Sequence, residues 1–271
     1  MGVGLDVTGR FRKAGVLSRT PSPQKCLDAL EDWFKREAAD LWLGSHRGQV
    51  EQGLPALAVN LHPAAESLQI TAAAGGRVTI GIKTSTVGPG FHAYVCDTLR
   101  RAGGELNIEW NPADPAAGTG DPTGYFATAD FAAIRREMLG WLQDAVRRLI
   151  ELIATDHRRM ALSLPPDVSF HHDGVLATAM GPRSQQWLRE VADSLARGTD
   201  VFPWWEQGIG AQFHLGRAIT RMWTEVRWRE PLTEERDAGT RSLPCHLRQG
   251  QGVRRPGTDS AKGVYLTRAV V

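Results

Sequence analysis

The fold is decided by residues 68–83, which read LQITAAAGGRVTIGIK. Apolar residues recur at every second position before Gly75-Gly76, and the same alternation resumes from Val78 to Ile82. A period of two is typical of a half-buried β-strand, and a Gly-Gly pair supplies the positive φ angles that a tight hairpin turn requires. The stretch therefore predicts a β-hairpin in an antiparallel sheet.

Amphipathic helices are predicted around this hairpin. The longest is Asp130–Ala154, where apolar residues fill one half of the helical wheel and charged residues fill the other. The Gly-rich residues 44–53 are expected to form a loop. The remaining predicted helices are Pro23–Leu41, Phe91–Ala102, Pro182–Arg197 and Ile209–Trp228, and the remaining predicted strands are Leu106–Trp110, Leu162–Phe170 and Val175–Met180. This order predicts an α+β fold, a mainly antiparallel sheet that contains the Gly-Gly hairpin and carries amphipathic helices packed on it.

The 271 residues are expected to contain one α+β domain over residues 21–229, and a sub-boundary is considered at the Pro- and Gly-rich loop 111–124. Residues 1–20 are expected to be a poorly ordered N-terminal segment. The tail 230–271 has few large apolar residues, so it is also expected to be poorly ordered, because it offers little burial to offset the entropy of ordering. A docked basic arm and a change of reading frame near Pro231 are the alternatives for the tail.

Composition limits the class of protein. The 32 basic and 30 acidic residues give a net charge of only +2, which argues against a nucleic-acid binder driven by bulk charge. We find no apolar run long enough for a membrane span and no signal-peptide pattern at the start, so the expected location is the cytoplasm and no membrane partner is expected. Abundant arginine, alanine and glycine suggest a G+C-rich bacterial genome.

The Gly-rich corner between the hairpin and the next helix is the first candidate site. Thr86, Gly88, Gly90 and His92 lie where a strand ends and a helix begins. Free N–H groups at a helix N-terminus attract anions, and glycines let a ligand approach the backbone closely. The pattern predicts an anion site with His92 as acid or base, although an ordinary turn explains the same residues.

Cys96 lies four residues after His92, so the two side chains share one side of the helix. The pair is compatible with a thiolate–imidazole pair or with half of a metal site. The sequence identifies no further ligand, so neither a metal nor a cofactor is predicted. A buried cysteine beside a hydrogen-bonded histidine is the alternative. The other two cysteines, Cys26 and Cys245, are far away along the chain, so reduced thiols are expected.

A Trp-rich helical end is the second candidate site. Trp204 and Trp205 follow a proline in a predicted loop, and tryptophan is favoured in interface hot spots. The two rings are therefore candidate contacts for a protein partner, or they close the core over the sheet.

These candidates support two functional hypotheses. No nucleophile-elbow, zinc-protease, calcium-loop or kinase motif is present, which favours a non-catalytic cytoplasmic interaction or binding module. The alternative is an enzyme that acts on an anionic small molecule, bound by Gly88 and Gly90 with His92 as acid or base. The expected partner is accordingly a protein or an anionic small molecule.

Overall fold

The structure is a computed structural model, and it describes residues 2–13, 20–50, 53–114, 119–155, 160–162, 175–225 and 264–265. It confirms the α+β fold. The strands are β1 Gly4–Phe11, β2 Gly44–Gln49, β3 Pro55–Asn60, β4 Leu68–Ala73, β5 Arg77–Lys83, β6 Ile108–Asn111, β7 Ala113–Asp114, β8 Thr119–Gly120, β9 Met160–Leu162, β10 Val175–Thr178, β11 Gly181–Ser184 and β12 Val264–Tyr265. The α-helices are α1 Pro23–Glu37, α2 Pro89–Leu106, α3 Tyr125–Thr128, α4 Phe131–Thr155, α5 Gln185–Asp193 and α6 Ala211–Glu225, and 3₁₀ turns cover Ala74–Gly76 and Leu195–Val201.

The main sheet has the strand order β2-β3-β4-β5-β1-β8-β7, and β6 also pairs with β1. Every strand pair described within it is antiparallel. The expectation that residues 1–20 are poorly ordered is wrong for Gly4–Phe11, because β1 lies inside the sheet between β5 on one side and β6 and β8 on the other. Residues 14–19 of that segment lie outside the described residues.

The hairpin of β4 and β5 is confirmed. Ala73 pairs with Arg77 across the turn, and Gly75 and Gly76 have φ angles of 78° and 72°, in the region that favours glycine. Alternation then assigns each position to a face of the sheet. One cross-strand row is fully buried and consists of Val7, Ile80, Ile70 and Leu57. The adjacent row points to the other face and consists of Thr8, Thr79 and Thr71.

Helices α1 and α2 pack on the apolar face of the sheet, and α4 packs against α2 as a third layer. Helix α1 begins as expected, because the Ser22 hydroxyl accepts the amide of Lys25 at 3.4 Å and Pro23 opens the first turn. The opposite face of the sheet contacts no helix among the element pairs described. The core therefore lies between the sheet and the helices, and within the described part of the chain no helix packs on the other sheet face.

Two local predictions are wrong. Residues 44–53, expected to form a loop, supply β2, whose polar residues contact solvent at the sheet edge. Helix α2 does not end at Ala102 as predicted but continues to Leu106, and left-handed Asn107 terminates it. Gly103 allows the Trp110 ring to pack closely against α2, because a Cβ at this position would lie 2.6 Å from Nε1 of Trp110.

The later part of the chain forms a second sheet in the order β11-β10-β9-β12, in which β9 runs parallel to both neighbours. Helix α4 confirms the long helix predicted there. Residues 163–174 lie outside the described residues. Of the predicted tail 230–271, only β12 is described, and the rest of that prediction lies outside the described part.

Candidate functional site

The Gly-rich corner is buried rather than open. Gly88, Pro89, Gly90 and His92 are all buried, and the amide of Gly90 donates to the carbonyl oxygen of Trp204 at 3.0 Å. The amide of Gly88 donates to the carbonyl of Thr84 at 3.0 Å. A helix N-terminus attracts anions when its N–H groups are free. The prediction of an outward-facing anion site at Thr86, Gly88 and Gly90 is therefore wrong in its geometry.

The segment that covers this corner contains the two candidate interaction residues. Trp204 is 0% exposed, and its ring lies 4.3 Å from that of Phe213 between centroids. Trp205 is half-buried, and its ring packs on Phe202. The burial of Trp204 supports the alternative interpretation, in which its ring closes the core. A protein partner remains a prediction, but the buried Trp204 ring is no longer a candidate contact for it.

The segment that contains Trp204 can pack on this corner only because positions 88 and 90 are glycines. A Cβ at Gly90 would lie 2.2 Å from both the carbonyl oxygen of Glu206 and Cδ1 of Trp204. A Cβ at Gly88 would lie 2.5 Å from the carbonyl oxygen of Trp204, and Gly88 has a φ of 122°. The glycines that suggested a close ligand approach instead allow a close approach of the chain itself.

His92 lies at the centre of a buried hydrogen-bonded cluster. Its Nδ1 lies 2.9 Å from Oγ1 of Thr84, and its Nε2 lies 3.1 Å from Oδ1 of Asp121. The Nε2 atom is also 3.1 Å from Oγ1 of Thr123, which donates to Asp121 at 2.7 Å. The imidazole is 0% exposed. The cluster therefore joins α2 to the end of β5 and to the loop before α3.

Asp121 is held as a carboxylate inside this cluster. Burial raises the pKa of Asp121, but hydrogen bonds from His92, the amide of Phe126 and Thr123 outweigh it and lower the pKa to about 2. No sequence pattern pointed to this role for Asp121. Asp121 precedes Pro122 and Thr123 in a predicted loop, and aspartate in such a turn normally caps its own backbone. It does so here, accepting the amides of Thr123 at 2.9 Å and Phe126 at 2.7 Å.

Cys96 completes the group from the next turn of α2. The thiol is buried, and burial raises the pKa of Cys96, so the sulfur carries its proton in this state. One ligand atom from each of His92, Cys96 and Asp121 lies within 4.8 Å of the others. The fold thus supplies the third side chain that the sequence left unidentified.

A second buried imidazole lies near the covered corner. His62 is 2% exposed, and its Nδ1 accepts the amide of Ala64 at 3.1 Å. Its Nε2 has no hydrogen-bond partner among the described residues. Its ring lies near those of Phe91, Trp204 and Phe213. Burial, and then the charge of Arg217, lower the pKa of His62 to about 3. His62 is therefore a neutral core residue.

The helix-free face of the sheet contains an open groove with a cavity volume of about 410 Å³. The cross-strand row Thr8, Thr79 and Thr71 lies along its floor. Arg10 and Arg77 are directly opposite each other in the β1–β5 pair, and both are exposed. This groove was not predicted from the sequence, because strand register brings together residues that are far apart along the chain, such as Arg10 and Arg77.

Comparison with known proteins gives no match to a family model, to a curated protein or to a solved structure. The site therefore has to be interpreted from its own chemistry. Among the residues that the structure describes, none of the helices combines the length and the apolar character that a membrane span requires.

Proposed function

We propose that this chain is a non-catalytic binding protein that holds an anionic small molecule in the groove on the helix-free sheet face. The observation that carries the proposal is the pairing of Arg10 with Arg77 across adjacent strands, at the wall of a cavity of about 410 Å³. That volume lies within the range of small-molecule sites, which is about 300–1,000 Å³.

Among the residues that the structure describes, no carboxylate pairs with either guanidinium group in the groove. Like charges directly opposite each other destabilise a sheet, so an arginine pair of this kind favours a bound anion. Arg10 donates from Nε to the carbonyl of Gly75 at 3.2 Å, and neither arginine forms an ion pair with a described carboxylate. Glu109, which also lines the groove, is paired with Arg12 at 2.8 Å. The groove therefore presents net positive charge.

The lining also indicates the ligand class. Guanidinium groups bind phosphate and carboxylate through two parallel hydrogen bonds. The threonine row offers hydroxyls beside them, while Leu54 and Ala73 supply apolar surface at the rim. We infer a ligand with one phosphate or carboxylate group and a small apolar body. The cytoplasmic location stays a prediction, as does a protein partner.

Thermal denaturation with phenyl phosphate and with benzoate tests this function, and phenol serves as the uncharged comparison. A ligand at 100 times its dissociation constant adds about 2.7 kcal/mol to the free energy of unfolding. We expect an anion to raise the melting temperature and phenol to leave it unchanged. Arg10→Gln and Arg77→Gln should each reduce the shift, because each removes one guanidinium from the groove.

Two further variants separate groove binding from general charge effects. Arg189→Gln removes the same charge from an exposed position on α5 and should keep the full shift. Thr79→Trp keeps both arginines but fills the floor, so it should abolish the shift. The proposal is wrong if no anion stabilises the protein, or if Arg189→Gln weakens the effect as much as Arg77→Gln.

A further inference from the structure

A second site, independent of the groove, lies inside the molecule where α2 meets the loop before α3. We propose that His92, Cys96 and Asp121 bind a zinc ion. The positions of His92 and Cys96, four residues apart on α2, place both side chains on one side of the helix. Asp121 enters from the loop, and one ligand atom from each residue lies within 4.8 Å of the other two.

The donor atoms suit zinc. Zinc binds imidazole nitrogen, thiolate sulfur and carboxylate oxygen in tetrahedral geometry at about 2.0–2.3 Å, so its ligand atoms lie roughly 3.3–3.7 Å apart. Nε2 of His92 and Oδ1 of Asp121 are already 3.1 Å apart. The Cys96 sulfur lies within 4.8 Å of both atoms, so it has to move closer to reach the spacing that zinc requires. Thr123 Oγ1 also lies 3.1 Å from Nε2, so a hydroxyl oxygen is next to the proposed ligands.

The groups around these ligands are those expected at a metal site. Histidine ligands usually donate their other ring N–H to a nearby acceptor, which fixes the ring and its tautomer. Here Nδ1 of His92 lies 2.9 Å from Oγ1 of Thr84, whose hydroxyl donates to the carbonyl of Val3 at 3.3 Å. Oδ2 of Asp121 accepts the amide of Phe126 at 2.7 Å, which orients the carboxylate.

Proton and charge balance are consistent with burial. On binding, the Cys96 S–H bond breaks, its proton passes to solvent and the sulfur bonds to zinc, because a coordinating thiol is deprotonated. Coordination uses the Nε2 lone pair of His92, so the proton on Nε2 that faces Asp121 in this structure leaves that nitrogen, and the ring N–H of the bound form is on Nδ1, facing Thr84. The two anionic ligands, thiolate and carboxylate, neutralise Zn²⁺. No unpaired charge is then buried, although the side chains of His92 and Asp121 are only 0% and 2% exposed.

Direct metal analysis of the whole 271-residue chain tests the site. The protein is treated with a chelator, reloaded with zinc and measured by mass spectrometry for metal content. Cobalt is then titrated as a spectroscopic substitute, since a thiolate–cobalt bond gives a charge-transfer band in the near ultraviolet. We expect one metal ion per chain, a charge-transfer band, and a melting temperature that zinc raises and the chelator lowers.

Variants assign the band to the proposed ligands. Cys96→Ser should abolish the charge-transfer band, and Asp121→Asn should weaken metal affinity at least about tenfold. Cys26→Ser is the matched control, because Cys26 is also buried but lies on α1 outside the cluster. Cys245→Ser controls for the third cysteine. Circular dichroism shows whether each variant is folded, and the wild-type measurements do not depend on any variant.

The proposal is overturned if the wild-type chain binds no stoichiometric zinc and its melting temperature is indifferent to zinc and chelator. It is also overturned if the cobalt band survives in folded Cys96→Ser, or if it disappears in Cys26→Ser or Cys245→Ser.

Discussion

The carbonyl oxygen of Trp204 accepts the amide N–H of Gly90 at 3.0 Å, and the amide of Trp204 donates to the carbonyl of Val87 at 2.9 Å. These two hydrogen bonds connect the segment before α6 to the start of α2. The indole N–H then reaches the carbonyl of Gly208 at 2.9 Å, which holds the ring over the helix end. The chain thus supplies to α2 the hydrogen-bond acceptor that a bound anion would have supplied.

Removal of the Trp204 ring should be strongly destabilising. The side chain is 0% exposed and contacts several aromatic rings, so Trp204→Ala leaves a large cavity and should lower the free energy of unfolding by about 3–5 kcal/mol. Urea denaturation followed by circular dichroism measures this loss. Trp205→Ala, at a half-buried position, should cost clearly less, and equal losses would contradict the burial described.

The glycine at the start of α2 should not tolerate a methyl group. Gly90→Ala places a Cβ 2.2 Å from the carbonyl of Glu206, so the covering segment must shift, at a cost of about 1–3 kcal/mol. Gly104 lies in the same helix with no neighbour within 4 Å of its Cβ position. Gly104→Ala should therefore stabilise the protein by about 0.5–1 kcal/mol through helix propensity. Equal effects of the two changes in chemical denaturation would refute the close approach.

His62 should make the protein sensitive to mild acid. Its pKa is lowered to about 3 in the folded state, whereas the unfolded chain binds a proton near pH 6.5. Between these values the unfolded state holds more protons, so stability falls as pH decreases, by at most about 1.4 kcal/mol per pH unit. Denaturation at pH 7 and at pH 4.5 measures the slope. His62→Asn should flatten it, while His46→Asn, at an exposed position on β2, should leave it steep.

The carboxylate of Glu31 should anchor the edge strand β2 to α1. Glu31 accepts the Ser45 hydroxyl at 2.5 Å and also pairs with Lys35 and Arg47. The Ser45 hydrogen bond is the largest influence, and together these contacts outweigh burial and lower the pKa of Glu31 to about 2. The resulting stability is present above pH 4.5 and is lost as pH falls towards 2.

Ser45→Ala tests this anchor. A hydrogen bond to a charged group contributes about 1.5–3 kcal/mol, so the variant should lose that amount at pH 7 and much less at pH 2. Ser67→Ala is the comparison, because Ser67 donates to the neutral side chain of Asn60 at 2.5 Å. Its loss in urea denaturation should be smaller and should not vary with pH. A pH-independent loss for Ser45→Ala would assign its effect to packing instead.

Local sequence patterns predicted the elements in which apolar residues recur with a clear period. The β4–β5 hairpin and α4 follow directly from alternation and from helical spacing. Strand β1 carries a weaker pattern, in which Leu5, Val7 and Phe11 are buried but Gly9 interrupts the apolar side. Strand β2 has no apolar pattern. It lies at the edge of the sheet and is formed by its pairing with β3, which its own sequence does not predict. Such strands depend on tertiary partners that a local window does not contain.

The site residues show the same division. His92 and Cys96 were recognisable because they share a helix, but Asp121 joins them only through the path of the chain. Arg10 and Arg77 meet through strand register, which the sequence of either strand alone does not determine. The corner at Gly88 and Gly90 was wrongly predicted to be open for a related reason. Trp204, which covers it, lies more than 100 residues later in the sequence.

The inner position of β1 has a consequence for biosynthesis. Its partners β5 and β6 begin 66 and 97 residues after β1 ends, so β1 is synthesised without a partner strand until β5 is complete at residue 83, and without β6 until residue 111. The meander from β2 to β5 can pair locally in the meantime, which leaves β1 to insert late and makes its arrival a slow, long-range step. A fragment that begins at residue 21 would lack this strand, expose the flanks of both β5 and β6, and be prone to aggregation through them.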